Sequence, residues 1–341
     1  MKKVMIALGV SVLACAPAPH AGDEIAIVEE SAVIVWDAAA QTEHFIRRAT
    51  FHGKGRDFGF LVPTPGVPAL AEVGDEIFDK LEARTQRETI SRTRKELDFT
   101  PLFSMIFARK EAATTAATVE VLATQKVAGY EAAVLSATDA AALQRWMSEH
   151  GYDATPDLVE WLDVYVKKQW KITAFKIDAA KPEAAAQTSA VKMSFSTDRP
   201  FFPYREPASQ RRLASEKQEN RALRVWVLGA ERVVGRIGDG STFWPAVLRR
   251  SDALPEALRN DVARIAKLAL PAAVRMTAFI DQSTVRPGTD DLFFVRSVVQ
   301  SAYVEPPYVD ETIDKTHIPL DVAAFVLAVV ALVIWLITRR A

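Results

Sequence analysis

Residues 138–177, TDAAALQRWMSEHGYDATPDLVEWLDVYVKKQWKITAFKI, carry the clearest fold signal in the chain. Thr138 or Asp139 can accept a hydrogen bond from the first turn of a helix. Leu143, Trp146 and Met147 then recur at helical spacing, and Gly151 supplies the stop. Thr155-Pro156 opens a second helix, with proline in the first turn, where its missing N–H goes unused. Leu158, Trp161, Leu162 and Tyr165 share one face of that helix. Residues 170–177 return as a strand, and residues 119–125 and 130–137 have strand composition. The order β-α-α-β predicts an α+β fold of mostly antiparallel sheets with helices packed on one side. Trp146, Trp161 and Trp170 fit a core between the helices and the returning strand, not a sugar-binding platform.

Upstream, residues 24–37 and 42–52 are rich in Val, Ile, Phe and Thr around a break at 37–41. Phe45, Arg47, Ala49 and Phe51 alternate onto one face, and His44, Ile46, Arg48, Thr50 and His52 onto the other. Gly53-Lys54-Gly55 turns into residues 57–62, the expected third strand of a meander, which Pro63, Pro65 and Pro68 end. Residues 76–93 read as a helix with Ile77, Phe78 and Leu81 on one face, and the Ala/Thr-rich stretch up to 118 has no clear pattern.

Downstream, residues 191–196 alternate as a strand, and residues 221–228 and 232–237 suggest a hairpin around Gly229-Ala230. Residues 255–270 form an amphipathic helix with Leu258, Val262, Ile265, Ala266 and Ala269 on its buried face. Residues 272–280 and 292–300 complete the β content.

The two ends set the expected location. Residues 4–15 are a short apolar run behind Lys2 and Lys3, the anatomy of an export signal and too short to span a bilayer. Ala16, Ala18 and Ala21 are candidate cleavage points, and Val12-Leu13-Ala14-Cys15 resembles a lipoprotein box. Val322 to Ile337 is apolar without a charge, and Arg339 and Arg340 follow it. Extended back to 318, it is long enough for a transmembrane helix with its arginines on the cytoplasmic side. The expected organisation is a signal peptide at 1–21, α+β halves at 22–178 and 190–302, a polar stalk at 303–317 and a membrane helix at 318–338. The chain is then a single-pass protein of the bacterial cytoplasmic membrane, its ectodomain outside and its C-terminus inside. The lipid bilayer around Val322 to Ile337 is one partner, and an envelope protein is the other.

Composition removes several classes of function. Lys and Arg total 42 against 43 Asp and Glu, so the chain has no basic footprint for nucleic acid. Cys15 is the single cysteine, which excludes disulfides, a thiolate nucleophile and cysteine metal sites from the domain. No HExxH, GxSxG or EF-hand pattern occurs. No cofactor or metal is expected.

A resemblance can be placed on particular residues. Glu30-Ser31-Ala32-Val33-Ile34-Val35-Trp36-Asp37, Thr42-Glu43-His44-Phe45-Ile46 and Asp57-Phe58-Gly59-Phe60-Leu61-Val62-Pro63-Thr64-Pro65 resemble the bacterial DUF2330 family. The likeness continues through Gly129-Tyr130-Glu131-Ala132-Ala133-Val134-Leu135-Ser136-Ala137, Tyr165 and residues 170–176, and loosely to about 280. It implies an exported, often membrane-tethered protein of undetermined function and brings no catalytic residues. Cysteines common near the mature N-terminus of the family are missing at Gly22-Asp23-Glu24.

Three candidate sites follow from residue types. Phe201, Phe202 and Tyr204 lie beside prolines and between Arg199 and Arg205; such a segment more often packs against the sheet, and if exposed it would make a rigid contact surface. The charged segment 205–221 next to them is expected to be a mobile loop. Glu43, His44 and Asp57 could build an unfamiliar hydrolase site if a polar pocket gathered them. His44 and His52 could join carboxylates at a metal, but ~26 Å of extended strand separates them. Gly235, Gly238 and Gly240 superficially resemble a phosphate loop, yet lack its Lys-Ser/Thr ending and read better as a hairpin turn. The favoured function is binding or scaffolding in the cell envelope, and the alternative is an envelope hydrolase.

Overall fold

The computed structural model describes residues 16–18, 24–54, 57–98, 131–135, 140–149, 152–178, 186–211, 222–283, 286–317, 329 and 332–339. The elements run β1 (Ala16–Ala18), β2 (Glu24–Asp37), β3 (Thr42–Lys54), β4 (Asp57–Thr64), β5 (Ala69–Glu72), α1 (Glu76–Thr85) and β6 (Thr89–Asp98). Then come β7 (Glu131–Leu135), α2 (Ala140–Glu149), α3 (Pro156–Lys167), β8 (Lys171–Asp178), β9 (Ala186–Gln187), β10 (Val191–Ser196) and β11 (Phe201–Phe202). The last are β12 (Ala222–Gly229), β13 (Val233–Ile237), β14 (Thr242–Phe243), β15 (Val247–Ala253), α4 (Glu256–Ala266), β16 (Arg275–Asp281), β17 (Leu292–Arg296), β18 (Tyr303–Val304) and β19 (Tyr308–His317). The chain divides into two units, residues 1–86 with 126–305, and residues 87–125 with 306–341.

The larger unit is built on a nine-stranded sheet, ordered β18-β15-β16-β12-β2-β3-β10-β5 with β9 beside β3. The β2–β3 hairpin forms where the alternation predicts it, and Asp37 Oδ1 fixes its turn by accepting the N–H groups of Ala39 and Ala40 at 3.0 Å. Ile34, Phe45, Ala49 and Phe51 enter one core with Phe58, Phe60, Phe202 and Phe294. On the opposite face, Val33, Ile46 and Trp226 meet Ile77, Phe78 and Leu81 of α1 and Val262, Ile265 and Ala266 of α4. Lys192 of β10 reaches across this face and donates to the carbonyls of Ala266 and Lys267, at 2.7 and 3.2 Å, satisfying the end of α4.

Two smaller sheets complete this unit. One is ordered β1-β4-β8-β7, and α2 and α3 pack on it through Leu143, Met147, Leu158, Trp161 and Leu162. Thr155 Oγ1 accepts the Leu158 N–H, the expected start of α3. The other is ordered β11-β17-β13-β14 and closes over the phenylalanine core. Among the described residues, the pairs within these three sheets are antiparallel apart from β2 with β12.

Several expectations need correction. β4 does not extend the β2–β3 meander, because β10 and β9 occupy the free edge of β3, and β4 pairs with β8. β12 and β13 are not a hairpin: β12 sits between β2 and β16, whereas β13 pairs with β17 and β14. Gly238 and Gly240 do form a hairpin turn, at positive φ between β13 and β14. Strands from both expected halves, 22–178 and 190–302, meet in one sheet, where β2 pairs with β12 and β3 with β10. Helix α1 stops at Thr85, and residues 89–98 are strand.

In the smaller unit β6 lies parallel to β19, from Thr89 opposite Tyr308 to Asp98 opposite His317. The expected stalk is therefore largely strand. Among the described residues no helix is long and apolar enough to cross a membrane. Residues 332–338 are helical, and most of the expected span at 318–338 falls outside the described residues. Residues 1–15 of the expected signal peptide at 1–21 and the expected strand at 119–125 also fall outside them, whereas residues 16–18 form β1.

Candidate functional site

The expected aromatic surface is core. Phe201, Phe202 and Tyr204 are 1%, 0% and 0% exposed, so they offer no contact area to a partner. Phe201 stacks against Trp170 and Phe195, with ring centroids 5.1 and 5.6 Å away, and Phe202 meets Phe45 edge-on at 5.8 Å. The Pro200 carbonyl before β11 accepts the Phe294 N–H at 2.9 Å, which continues the pairing of β11 with β17. Residues 212–221 of the expected mobile loop lie outside the described residues.

Glu43 and His44 of the hydrolase constellation do not converge. Glu43 and His44 are neighbours on β3 and therefore point to opposite faces. Glu43 is fully buried and accepts the Phe201 N–H at 2.8 Å, and burial pushes its carboxyl well up despite that bond. His44 lies 2.8 Å from Ser194 Oγ, and burial, reinforced by Lys192, lowers its imidazole. The side chains of Asp57 and His52 lie outside the described residues. Glu43 thus anchors the start of β11, a structural role. Among the described residues no group of three or more His, Cys, Asp or Glu is placed to hold a metal ion.

Sequence reasoning missed a buried polar network beside Tyr204. Asp281, at the end of β16, is fully buried and shares its Oδ2 between Tyr204 Oη at 3.0 Å and Trp244 Nε1 at 2.9 Å. Its Oδ1 accepts the Ser283 N–H at 2.9 Å, and its Oδ2 lies 3.4 Å from Arg286 Nε. Burial alone would raise this carboxyl, but Arg286, Ser283 and Trp244 hold it below the usual range. Across Leu223, which both strands share in register, buried Glu30 accepts Arg47 Nε at 3.1 Å. The Arg47 guanidinium also sits 3.9 Å over the Phe60 ring. Only the charge at the end of an apolar strand hinted at Asp281.

A second buried acid joins the helical pair to the small sheet. Tyr165 Oη donates to Asp291 Oδ1 at 2.8 Å, and Lys168 Nζ is 3.7 Å from Oδ2. Burial, opposed by Tyr165 and Lys168, pushes the Asp291 carboxyl up to about 6. The folded state then holds this proton more tightly than the unfolded chain does. Its contribution to stability is full below pH ~4 and is lost as the pH rises through the folded value, a change of ~3 kcal/mol. Asp291→Asn keeps an acceptor for Tyr165 and carries no titration. In urea titrations the variant should gain up to ~3 kcal/mol on the parent between pH 4.5 and pH 8. Parallel stability profiles for the two proteins would reject Asp291 as the titrating group.

The exposed chemistry lies on the outward face of β11-β17-β13-β14. Leu292 and Phe294 point into the core, and Phe293, Val295, Val234 and Arg236 share the other face, where half-buried Phe293 also packs on Phe201, its partner on β11, with ring centroids 6.3 Å apart. Phe293 stands opposite Arg236, and Arg236 opposite Phe243. The Arg199 guanidinium lies 3.8 Å over the Phe293 ring, and that of Arg236 lies 3.3 Å over Phe243. Arg199, Phe293, Arg236 and Phe243 therefore form an alternating cation–aromatic row across the sheet, about 14 Å long at ~4.8 Å per strand. Phe243 is 63% exposed and Val295 36%. Neither guanidinium has a carboxylate within salt-bridge distance among the described residues. The row depends on strand register, which the local sequence does not carry.

Comparisons with known proteins bear on this frame. The crystal structure of baculovirus P35 is similar over 84% of this chain and 98% of its own, at a TM-score of 0.37 and 6% identity, a likeness too slight to assign a fold. No curated protein matches the chain. The model of DUF2330, described as an uncharacterized protein conserved in bacteria, matches residues 10–273, which span the hairpin, the helical pair, seven of the nine strands of the large sheet, and Arg199, Arg236 and Phe243 of the cation–aromatic row. The chain belongs to the DUF2330 family.

Proposed function

We propose that this protein is a non-enzymatic binding domain, held outside the bacterial cytoplasmic membrane, whose contact surface is the cation–aromatic row. The carrying observation is that Arg199 and Arg236 are each stacked on a phenylalanine, with their N–H edges free of any described carboxylate. Stacking restrains a guanidinium while leaving its donors open for bidentate bonds to an anion. Val234 and Val295, a pair two residues along their strands, add apolar surface beside the row. Charge complementarity thus favours an acidic, extended protein segment of the envelope as the occupant.

The tether is supported by the helical residues 332–338. Leu332, Val333, Ile334, Trp335, Leu336 and Ile337 are each 47–65% exposed, an apolar surface on every side of the helix. Such a helix is at rest in hydrocarbon, not in water. A periplasm-active reporter fused after Lys315 should be active; a silent one overturns the location.

The contact surface is tested with a fluorescent peptide of alternating Glu and Val. Arg199→Ala with Arg236→Ala should weaken its binding about thirtyfold, from two charge-assisted contacts of ~1 kcal/mol each, without shifting the melting temperature. Added salt should weaken binding to the parent protein in the same direction. Equal affinities would reject the row as the contact surface. Preference for anionic phospholipid vesicles over the peptide would reject the acidic segment as its occupant.

A further inference from the structure

β1 bears on how the chain is processed. Its residues pair antiparallel with β4, Ala16 opposite Leu61, Pro17 opposite Phe60 and Ala18 opposite Gly59. The strand lies at the edge of its sheet, the position at which a proline is tolerated. Ala18 is fully buried in the core that holds Leu61, Tyr152, Leu158 and Trp161. Gly59 is fitted to it: a methyl group on Gly59 would meet Ala18 Cβ and Tyr152 Cε1, both at 3.2 Å. Ala16-Pro17-Ala18 is thus part of the folded unit.

An export signal cut after Ala18 or Ala21 would remove this strand, and a cut after Ala16 would leave two of its three residues. β4 would then be an unpaired edge beside an emptied Ala18 site, with Tyr152 uncovered. The bond between Ala14 and Cys15 avoids this loss. Val12 and Ala14 are small aliphatic residues at the two positions that signal processing reads, and the apolar run ends there. We infer that processing cuts between Ala14 and Cys15, so that the mature chain begins at Cys15 and keeps β1. The inference rests on the export reading above and is independent of the contact surface.

The test is mass spectrometry of the N-terminal peptide from the full chain, expressed in a bacterium and purified from its membranes in detergent. An N-terminus at Cys15 is the expected result, whether its thiol is free or carries lipid. An N-terminus at Pro17, Pro19 or Gly22 overturns the inference while leaving export intact. An N-terminus at Met1 overturns the export reading and the inference with it. A second arm compares chains produced without the signal and beginning at Cys15 or at Pro19. The shorter chain should melt at a lower temperature, and equal midpoints would show that β1 is dispensable and overturn the inference.

Discussion

Phe201→Ala combined with Tyr204→Ala is expected to abolish cooperative unfolding, leaving a chain without a stable native state. Each ring is fully enclosed, and truncating a buried phenylalanine costs about 3–5 kcal/mol. Phe201 loses its contacts with Trp170, Phe195 and Phe293 in one step. Tyr204→Ala removes a ring beside Trp244 and also the hydroxyl that Asp281 accepts. Together the two changes approach the whole ~5–15 kcal/mol that holds a typical domain folded. Circular dichroism on the purified variant, with Tyr204→Phe as a milder control, checks this. Tyr204→Phe keeps the ring and loses one buried hydrogen bond, for a cost of about 1–2 kcal/mol. A double variant that melts near the parent temperature would mean that the aromatic cluster is not enclosed.

Local signals were legible where a structure depends on neighbouring residues. The β2–β3 hairpin followed from alternation and from Asp37, α3 from Thr155-Pro156, and α4 from the spacing of Val262, Ile265 and Ala266. Pairings between distant segments left no such trace. Nothing in residues 29–35 announces that they lie parallel to residues 222–228, because a strand buried on both faces reads as continuous apolar sequence in any company. Residues 89–98, Thr-Ile-Ser-Arg-Thr-Arg-Lys-Glu-Leu-Asp, have side chains suited to a helix, yet pairing with β19 makes them a strand.

The same limit explains the site. The burial of Phe201 is decided by Trp170, which the sequence places thirty-one positions earlier and the fold places 5.1 Å away. Proline-flanked aromatics look alike in an exposed loop and under a tryptophan lid. The stacking of Arg199 and Arg236 leaves no trace in the local sequence, because their phenylalanines come from β17 and β14, positioned only by register.

Asp281→Ala should be the most damaging single substitution of a polar residue, with an expected loss of about 3–5 kcal/mol. Removing the carboxylate strands three donors at once: Tyr204 Oη, Trp244 Nε1 and the Ser283 N–H. It also leaves the fully buried Arg286 side chain without the anion 3.4 Å from its Nε, a charge that then has only the Asp281 carbonyl as a described acceptor. Asp281→Asn should cost less, since an amide oxygen can still accept from Trp244 or Tyr204 although the charge is gone. Arg286→Met in the Asp281→Ala background should recover part of the loss, because the uncompensated cation is then removed. The depressed carboxyl fixes the pH behaviour as well. Stability from Asp281 is present above the ordinary carboxylate range and is lost as the pH falls through its folded value, so the parent should become acid-labile below pH ~4. The three variants should lose that acid-sensitive step. Urea midpoints measured at pH 3 and pH 7 separate the outcomes. If Arg286→Met adds to the damage of Asp281→Ala, the cation is held by partners other than Asp281, and the network is not organised around that carboxylate.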